Sequence, residues 1–241
     1  MQSGLYVALS GQVALQRRME TIAHNVANAN TAGFRGESIS FRSILANTGA
    51  TTTSFASPGD TWLSRESGEL KKTDNPLDVA VQGDGWLAIR TPNGAAYTRD
   101  GRMRMLETGE LQTLTGHAVL DAGDSPIVID PAAGAPSISR DGMMTQGGRQ
   151  IGAIGLFRLP DGAKLQRYDT SSVTTDAPAT AVLDFANNGV AQGFVEGANI
   201  NPVLEVARLM MVTRAFESMS QLIETSEASM QDAIKTLGQS S

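Results

Sequence analysis

Apolar residues near the amino terminus recur in alternating steps of three and four: Leu5, Ala8, Leu15, Met19, Ile22, Val26 and Ala29, with Gln12 filling the remaining seam position. This heptad spacing, held over more than three repeats, predicts an amphipathic α-helix. It stops at Asn28-Ala29-Asn30-Thr31-Ala32-Gly33, where Asn and Gly favour turns and left-handed backbone. At 1.5 Å per residue such a helix would be about 40 Å long. The carboxy terminus repeats the design. Asn201 suits an N-cap, Pro202 the first helical position, and Glu205 places a negative charge in the opening turn. The seam then runs Leu209, Val212, Phe216, Met219, Ile223, Ser226, Met230, Ala233 and Leu237, and Gly238 follows as a stop.

Beside these seams a two-stranded coiled coil would carry Glu and Lys. This chain has Leu9, Ala23, Ala215, Leu222 and Ile234 there. Each apolar stripe is therefore too wide for one partner. Two arrangements would cover it: an intramolecular helical hairpin packed on the rest of the chain, or a polymer in which the terminal helices of many copies share an inner wall.

Between the helices the period changes. Short apolar runs at Leu77–Val81, Trp86–Ile89, Met103–Leu106, Ala118–Leu120, Ile127–Ile129 and Ile154–Leu159 are separated by turns such as Gly83-Asp84-Gly85, Pro92-Asn93-Gly94 and Asp100-Gly101. Short strands with regular turn signals predict an antiparallel β domain. Residues 46–61 are mostly small and carry one charge, which reads as a linker or extended arm; Ser171 to Ala181 reads as a loop or sheet edge.

Composition narrows the function. The chain has 241 residues, 41% hydrophobic and only 5% aromatic, so it can bury a core but must fill it with aliphatic side chains. With no Cys, disulfides, thiolate metal sites and cysteine nucleophiles are all excluded. A net charge of −6 argues against nucleic acid, since no basic tract can displace phosphate counterions. No run approaches the ~20 apolar residues of a membrane span. Met1 to Ser10 has no basic region before its apolar stretch, and Arg17-Arg18 is followed by Met19-Glu20-Thr21, so neither a cleavable signal nor a twin-arginine signal is expected. The chain is expected to be cytosolic, or exported by a route that reads no such signal.

Candidate chemistry is sparse. Gly83-Asp84-Gly85-Trp86-Leu87-Ala88 fits the loose GxGxxA pattern, but that motif needs a helix after it, and Trp86-Leu87-Ala88-Ile89 reads as the second arm of a hairpin. No GxxxxGK[ST], HExxH or GxSxG occurs. His24 and His117 fall in different predicted domains, and Asp74, Asp78, Asp84, Asp100, Asp121 and Asp124 lie near turns, where Asp bonds neighbouring amides. No catalytic, cofactor or metal site is expected.

Ile22-Ala23-His24-Asn25-Val26-Ala27-Asn28-Ala29-Asn30-Thr31-Ala32-Gly33-Phe34-Arg35 closely resembles the amino-terminal signature of bacterial flagellar rod and hook proteins, with His24 where Asn is usual. Gly68-Glu69-Leu70, Pro76 to Trp86, Tyr97-Thr98-Arg99-Asp100-Gly101 and Gly116 to Leu120 continue the likeness. Val195-Glu196-Gly197-Ala198-Asn199-Ile200-Asn201-Pro202-Val203 and Thr213-Arg214-Ala215-Phe216-Glu217 resemble the carboxy-terminal signature. The opening Gly4 to Gln12 and the Pro202-Val203-Leu204-Glu205 helix start resemble the proximal-rod branch, with the distal rod and the hook as alternatives.

The resemblance implies a structural subunit of the flagellar basal-body rod, in the periplasm after type III export, that transmits motor torque. Its implied partners are proximal and distal rod subunits and the export apparatus, with no nucleic acid, no small-molecule substrate, no cofactor and no membrane embedding. The implied fold is α+β: long terminal helices forming a coiled-coil-like inner-tube domain over 1–33 and 199–241, an arm and linker over 34–76, and a mostly antiparallel β domain over 77–198. Leu5, Leu15, Met19, Ile22, Val26, Leu209, Val212, Phe216, Met219, Ile223, Met230 and Leu237 are the expected assembly residues. Asn25, Asn28, Asn30, Thr31, Gly33, Phe34, Asn199, Asn201, Glu205 and Arg214 are the motif residues. Two readings of other classes are a cell-wall-acting enzyme and a monomeric binding module.

Overall fold

In the computed structural model, residues 2–48 and 51–238 are described, with backbone alone at 2, 3, 45–48, 51–54, 56, 58, 230, 233, 234, 237 and 238. The expected interface side chains of Met230 and Leu237 thus lie outside the described residues. The two predicted helices are present as α1 (Gln2–Ala27) and α2 (Pro202–Gly238). Asn201 caps α2: its Oδ1 accepts the Val203 and Leu204 amides at 3.1 and 3.2 Å, and Pro202 at the first position has no amide to leave orphaned. After α1, Thr31 donates its amide to Asn28 O at 3.0 Å, and Gly33 takes φ +66°, which turns the chain out of the helix.

The chain divides into two units. The first comprises Met1–Ala27, Glu37–Thr61 and Asn201–Ser241; the second comprises Asn28–Gly36 and Trp62–Ile200. In the first unit, β1 (Glu37–Thr48) and β2 (Thr51–Leu63, its last two residues in the second unit) pair as a two-stranded sheet. Of the small-residue stretch 46–61, residues 46–48 and 51–61 lie in these strands, with the Ser40 hydroxyl donating to Asp60 O and Arg42 pairing with the Asp60 carboxylate at 2.8 Å.

The α+β class holds, but the coiled-coil-like pairing of the terminal helices does not form. The helices lie against each other, but their contacts include polar ones where a coiled coil would continue its apolar seam: Gln12 donates to Ser220, Thr213 to the Met19 sulfur, and Asn25 lies against Glu205. A coiled coil buries consecutive seam residues in holes of its partner. Here only Ile22 and Val212 of the described seam side chains are fully buried, and Ser226 is exposed. The physical reason lies in shape and polarity. A 26-residue helix cannot cover a 37-residue one, and the point of deepest burial holds polar Asn25 and Glu205 instead of a continued seam.

The second unit is β-rich, and its described pairings are antiparallel. A six-stranded sheet runs in the order Leu165–Arg167, Ser172–Thr175, Gly94–Thr98, Gly85–Thr91, Leu156–Arg158, Thr180–Ala181. Gly85–Thr91 is central and buried on both faces. Leu87 joins one aliphatic cluster, with Val79, Met103, Leu111, Met144 and Ile154, while Trp86 and Ala88 enter smaller clusters with Leu63 and Phe157. Gly83-Asp84 is a turn, but the strands on either side do not pair with each other: Val79–Gln82 pairs with Gly189–Gln192, and Gly85–Thr91 with Gly94–Thr98 and Leu156–Arg158. Where strand runs are predicted over 118–120 and 127–129, Ala118, Val119, Leu120 and Val128 make isolated bridges instead.

Candidate assembly surfaces and a buried charge cluster

In the first unit, Asn25 sits on the last turn of α1 with 5% of its surface exposed. Its Oδ1 accepts the Glu37 amide at 3.0 Å and its Nδ2 donates to the Glu37 carbonyl at 2.9 Å. A primary amide is the side-chain group that satisfies both backbone groups of one residue at once. Nδ2 also reaches Glu205 Oε2 at 3.4 Å, and Arg208 donates to the other Glu205 oxygen. These groups line a polar cavity of about 190 Å³ with Arg18 and Thr21. Asn25 and Glu205 thereby join the end of α1, the start of β1 and the start of α2.

The helix surfaces are unusually apolar. Tyr6, Leu9 and Val13 project from α1 at 60%, 48% and 44% exposure and, with Phe55, form an open groove of about 520 Å³. On α2, Val203, Leu204, Val206, Met210, Met211 and Leu222 are all exposed. Among the expected assembly residues, Leu5, Leu15, Met19, Val26, Leu209, Phe216, Met219 and Ile223 are half-buried, and Ile22 and Val212 are buried. On the helices, the most exposed apolar side chains therefore flank the seams. The wide stripe read from Leu9 and Leu222 points to them, whereas Tyr6, Val13, Val203, Met210 and Met211 escape a heptad reading.

In the second unit the Glu196 carboxylate, fully buried, accepts Arg35 Nη2 at 2.6 Å, Arg99 Nη1 at 3.1 Å and the Gly68 amide at 2.7 Å. Arg99 also donates to Gly83 O at 2.6 Å. Both guanidinium carbons lie near the Trp86 ring, at 5.5 and 5.3 Å from its centroid, so the indole face complements charge that one carboxylate cannot balance. Burial lowers the Arg99 guanidinium to about 10, opposed by Glu196 and reinforced by Arg35. Gly33 packs so closely that a Cβ there would stand 2.1 Å from the Asp100 amide nitrogen.

Of the remaining motif residues, Phe34 is fully buried under the Arg167 guanidinium at 4.5 Å, and Thr31 bonds Asn28 through its hydroxyl. Asn199 Oδ1 accepts the Gly36 amide at 2.7 Å. Asn30 and Arg214 are exposed. Arg99 and Glu196 stand within the signature blocks without being singled out; the local signal for each is a charged residue directly after a buried strand residue, Thr98 for Arg99 and Val195 for Glu196. Asp121 and Asp100 bond neighbouring amides as turn residues do. Among the described residues no group of three or more His, Asp or Glu is placed to hold a metal, and no helix is long and apolar enough to cross a membrane.

Known families match in three blocks. Residues 5–35 match the family described as flagella basal body rod protein, residues 80–146 the D1 domain of the flagellar hook protein FlgE/F/G, and residues 191–236 the carboxy-terminal region of flagellar basal body rod FlgEFG proteins. The chain is 49% identical to the flagellar basal-body rod protein FlgF of Mesorhizobium japonicum, over the whole of both chains. The chain belongs to the flagellar basal-body rod protein family. It is 45% identical to FlgF of Rhizobium meliloti and 34% identical to FlgF of Caulobacter vibrioides, each covering 99% of both chains. Its role is that of a structural subunit of the flagellar basal-body rod.

Proposed function

We propose that this rod-family subunit is of the proximal type, and that it assembles through the apolar faces of α1 and α2. The observation that carries the assembly surface is the row of exposed side chains on both helices: Tyr6, Leu9 and Val13 on one, Met210, Met211 and Leu222 on the other. The Tyr6, Leu9 and Val13 face is contiguous, and contiguous apolar surface of this kind marks a protein interface. Two different patches on one chain make a heterologous contact, which repeats into an open helical filament where its rotation does not close into a ring. The expected interface residues Leu5, Leu15, Met19, Ile223 and Phe216, half-buried within one chain, would be covered completely by neighbours in the rod. The partners are proximal and distal rod subunits, reached after export through the flagellar type III apparatus into the periplasm. The function is mechanical: many coupled apolar contacts resist twist, and no residue performs chemistry.

Because the chain has no cysteine, single cysteines can be placed at will. With Tyr6→Cys and Met211→Cys together in one chain, mild oxidation of isolated basal bodies is expected to give a ladder of cross-linked subunits, while Lys164→Cys with Met211→Cys gives none. Monomer alone from the helix pair would overturn this assembly surface.

A further inference from the structure

The geometry points to a shear clamp at the edge of the second unit, which carries load from one terminal segment straight to the other and keeps it off the six-stranded sheet. This rests on the chain being a rod subunit, and concerns what happens to force after it enters the chain.

The chain passes between the units at four places, after Ala27, Gly36, Thr61 and Ile200. On the side of the second unit, the segments at these crossings are tied to one another. Gly33 donates its amide to Glu196 O at 2.8 Å, the Asn199 amide donates to Phe34 O at 3.3 Å, and the Gly36 amide donates to Asn199 Oδ1 at 2.7 Å. Arg35 adds the buried ion pair to Glu196 at 2.6 Å. These bonds link 28–36 to 194–200.

The third segment joins the same knot. Ser64 donates its amide to Gly36 O at 2.8 Å, and Asn199 Nδ2 donates to Ser64 Oγ at 3.0 Å and Glu66 O at 2.8 Å. Glu196 accepts the Gly68 amide, and Gly197 donates to Glu69 O at 2.8 Å. Asn199 thus spends all of its side-chain amide on neighbouring crossing segments, and Glu196 spends its carboxylate on two of them and on Arg99.

The order of the bonds sets how they bear load. Gly33 meets Glu196 and Gly36 meets Asn199, so the two segments run in the same sense. Tension that draws Asn28 one way and Ile200 the other therefore acts along the pair and loads all the bonds together. Bonds loaded together must break together, whereas a row peeled from one end breaks singly. The path through the clamp spans a few residues on each side; the covalent path from Asn28 to Ile200 runs on through 37–61 of the first unit and then through 62–200, and it carries less of the load until the clamp fails.

The test is single-molecule stretching of the full chain, held through cysteines placed at positions 1 and 241, which are unique because the chain has no Cys. At constant force, wild type is compared with Asn199→Ala, which removes three clamp bonds, and with Met144→Ala, which opens a cavity at a fully buried core position outside the clamp. The clamp predicts that Asn199→Ala shortens the lifetime of the first opening of the second unit at least ~10-fold, since each lost hydrogen bond is a severalfold effect. Met144→Ala lowers the urea midpoint at least as much but leaves that lifetime within ~3-fold. If Asn199→Ala does not fold, Asn199→Asp replaces it: it keeps the acceptor for Gly36, loses both donors and is expected to show an intermediate shortening. An unchanged lifetime in the Asn199 variant, or equal shortening by Met144→Ala, would overturn the clamp. Neither result bears on assembly, which this single-chain experiment does not require.

Discussion

At the scale of single residues, the buried cluster around Glu196 is the most sensitive part of the second unit. Replacing Glu196 with Gln keeps the shape but leaves two buried guanidinium groups without a counter-charge. Breaking a buried pair in this way costs about 3–5 kcal/mol. Urea unfolding of Glu196→Gln is expected to show a loss of that size, while Arg42→Ala, at a pair about 70% exposed on both sides, stays within ~0.5 kcal/mol of wild type. Gly33→Ala should also destabilise, by ~1–2 kcal/mol from the left-handed backbone alone, and by more because its Cβ would meet the Asp100 amide; thermal unfolding would show it. How much of this is legible in the sequence differs by residue. The turn after α1 is readable, because Asn28 and Thr31 bond each other and Gly33 takes a left-handed φ, whereas the partner of the Gly33 amide, Glu196, is far off in sequence. Asn25 is visible as part of a motif, but its partners, Glu37 and Glu205, are 12 and 180 positions away, and no local rule names them. Glu196 is hidden for the same reason, since Arg35 lies 161 positions from it.

At the scale of elements, both helices follow from their spacing and caps, because periodicity and N-capping are local. What they pack against is not local. The heptad predicts a paired seam, yet seam burial stops where Asn25 and Glu205 take the contact, and the wider stripe leaves Tyr6, Leu9 and Met211 facing outward. A helix with an uncovered apolar face draws little stability from the isolated chain. Amide hydrogen exchange on a verified monomer is therefore expected to be fast over 2–24 and 209–238 and slow over Gly85–Thr91 and Leu156–Arg158. Slow exchange along both helices in a monomer would favour a self-contained helical hairpin. The strands β1 and β2 are only weakly marked in the sequence, since Ser, Thr and Ala give little alternation; Ile39 and Phe41 carry a clear period of two, and the pairing of backbone with backbone needs no side-chain pattern.

At the scale of the whole molecule, the second unit is proposed to fold alone, provided it keeps the segments that complete it. A fragment spanning 77–195 would lack Phe34, Arg35, Leu63 and Glu196, leaving Arg99 buried without its carboxylate. Calorimetry should show cooperative melting for 28–200 and a weak or absent transition for 77–195; equal melting of the two would show that the buried cluster adds nothing. The central claim is that the terminal helices bind neighbouring subunits, and Ile223 tests it most directly. Half-buried in one chain and proposed to be covered in the rod, Ile223 should not tolerate Asp, because an unpaired charge in an apolar interface costs several kcal/mol per subunit, roughly. Ser226, exposed on the same helix, serves as the control through Ser226→Asn. The measurement is an electron-microscopic count of complete hook–basal bodies from cells expressing each variant at wild-type level with normal export. Ile223→Asp is predicted to give none, with Ser226→Asn near wild type and the second unit melting normally in both. Complete hook–basal bodies in normal number from Ile223→Asp would contradict the account.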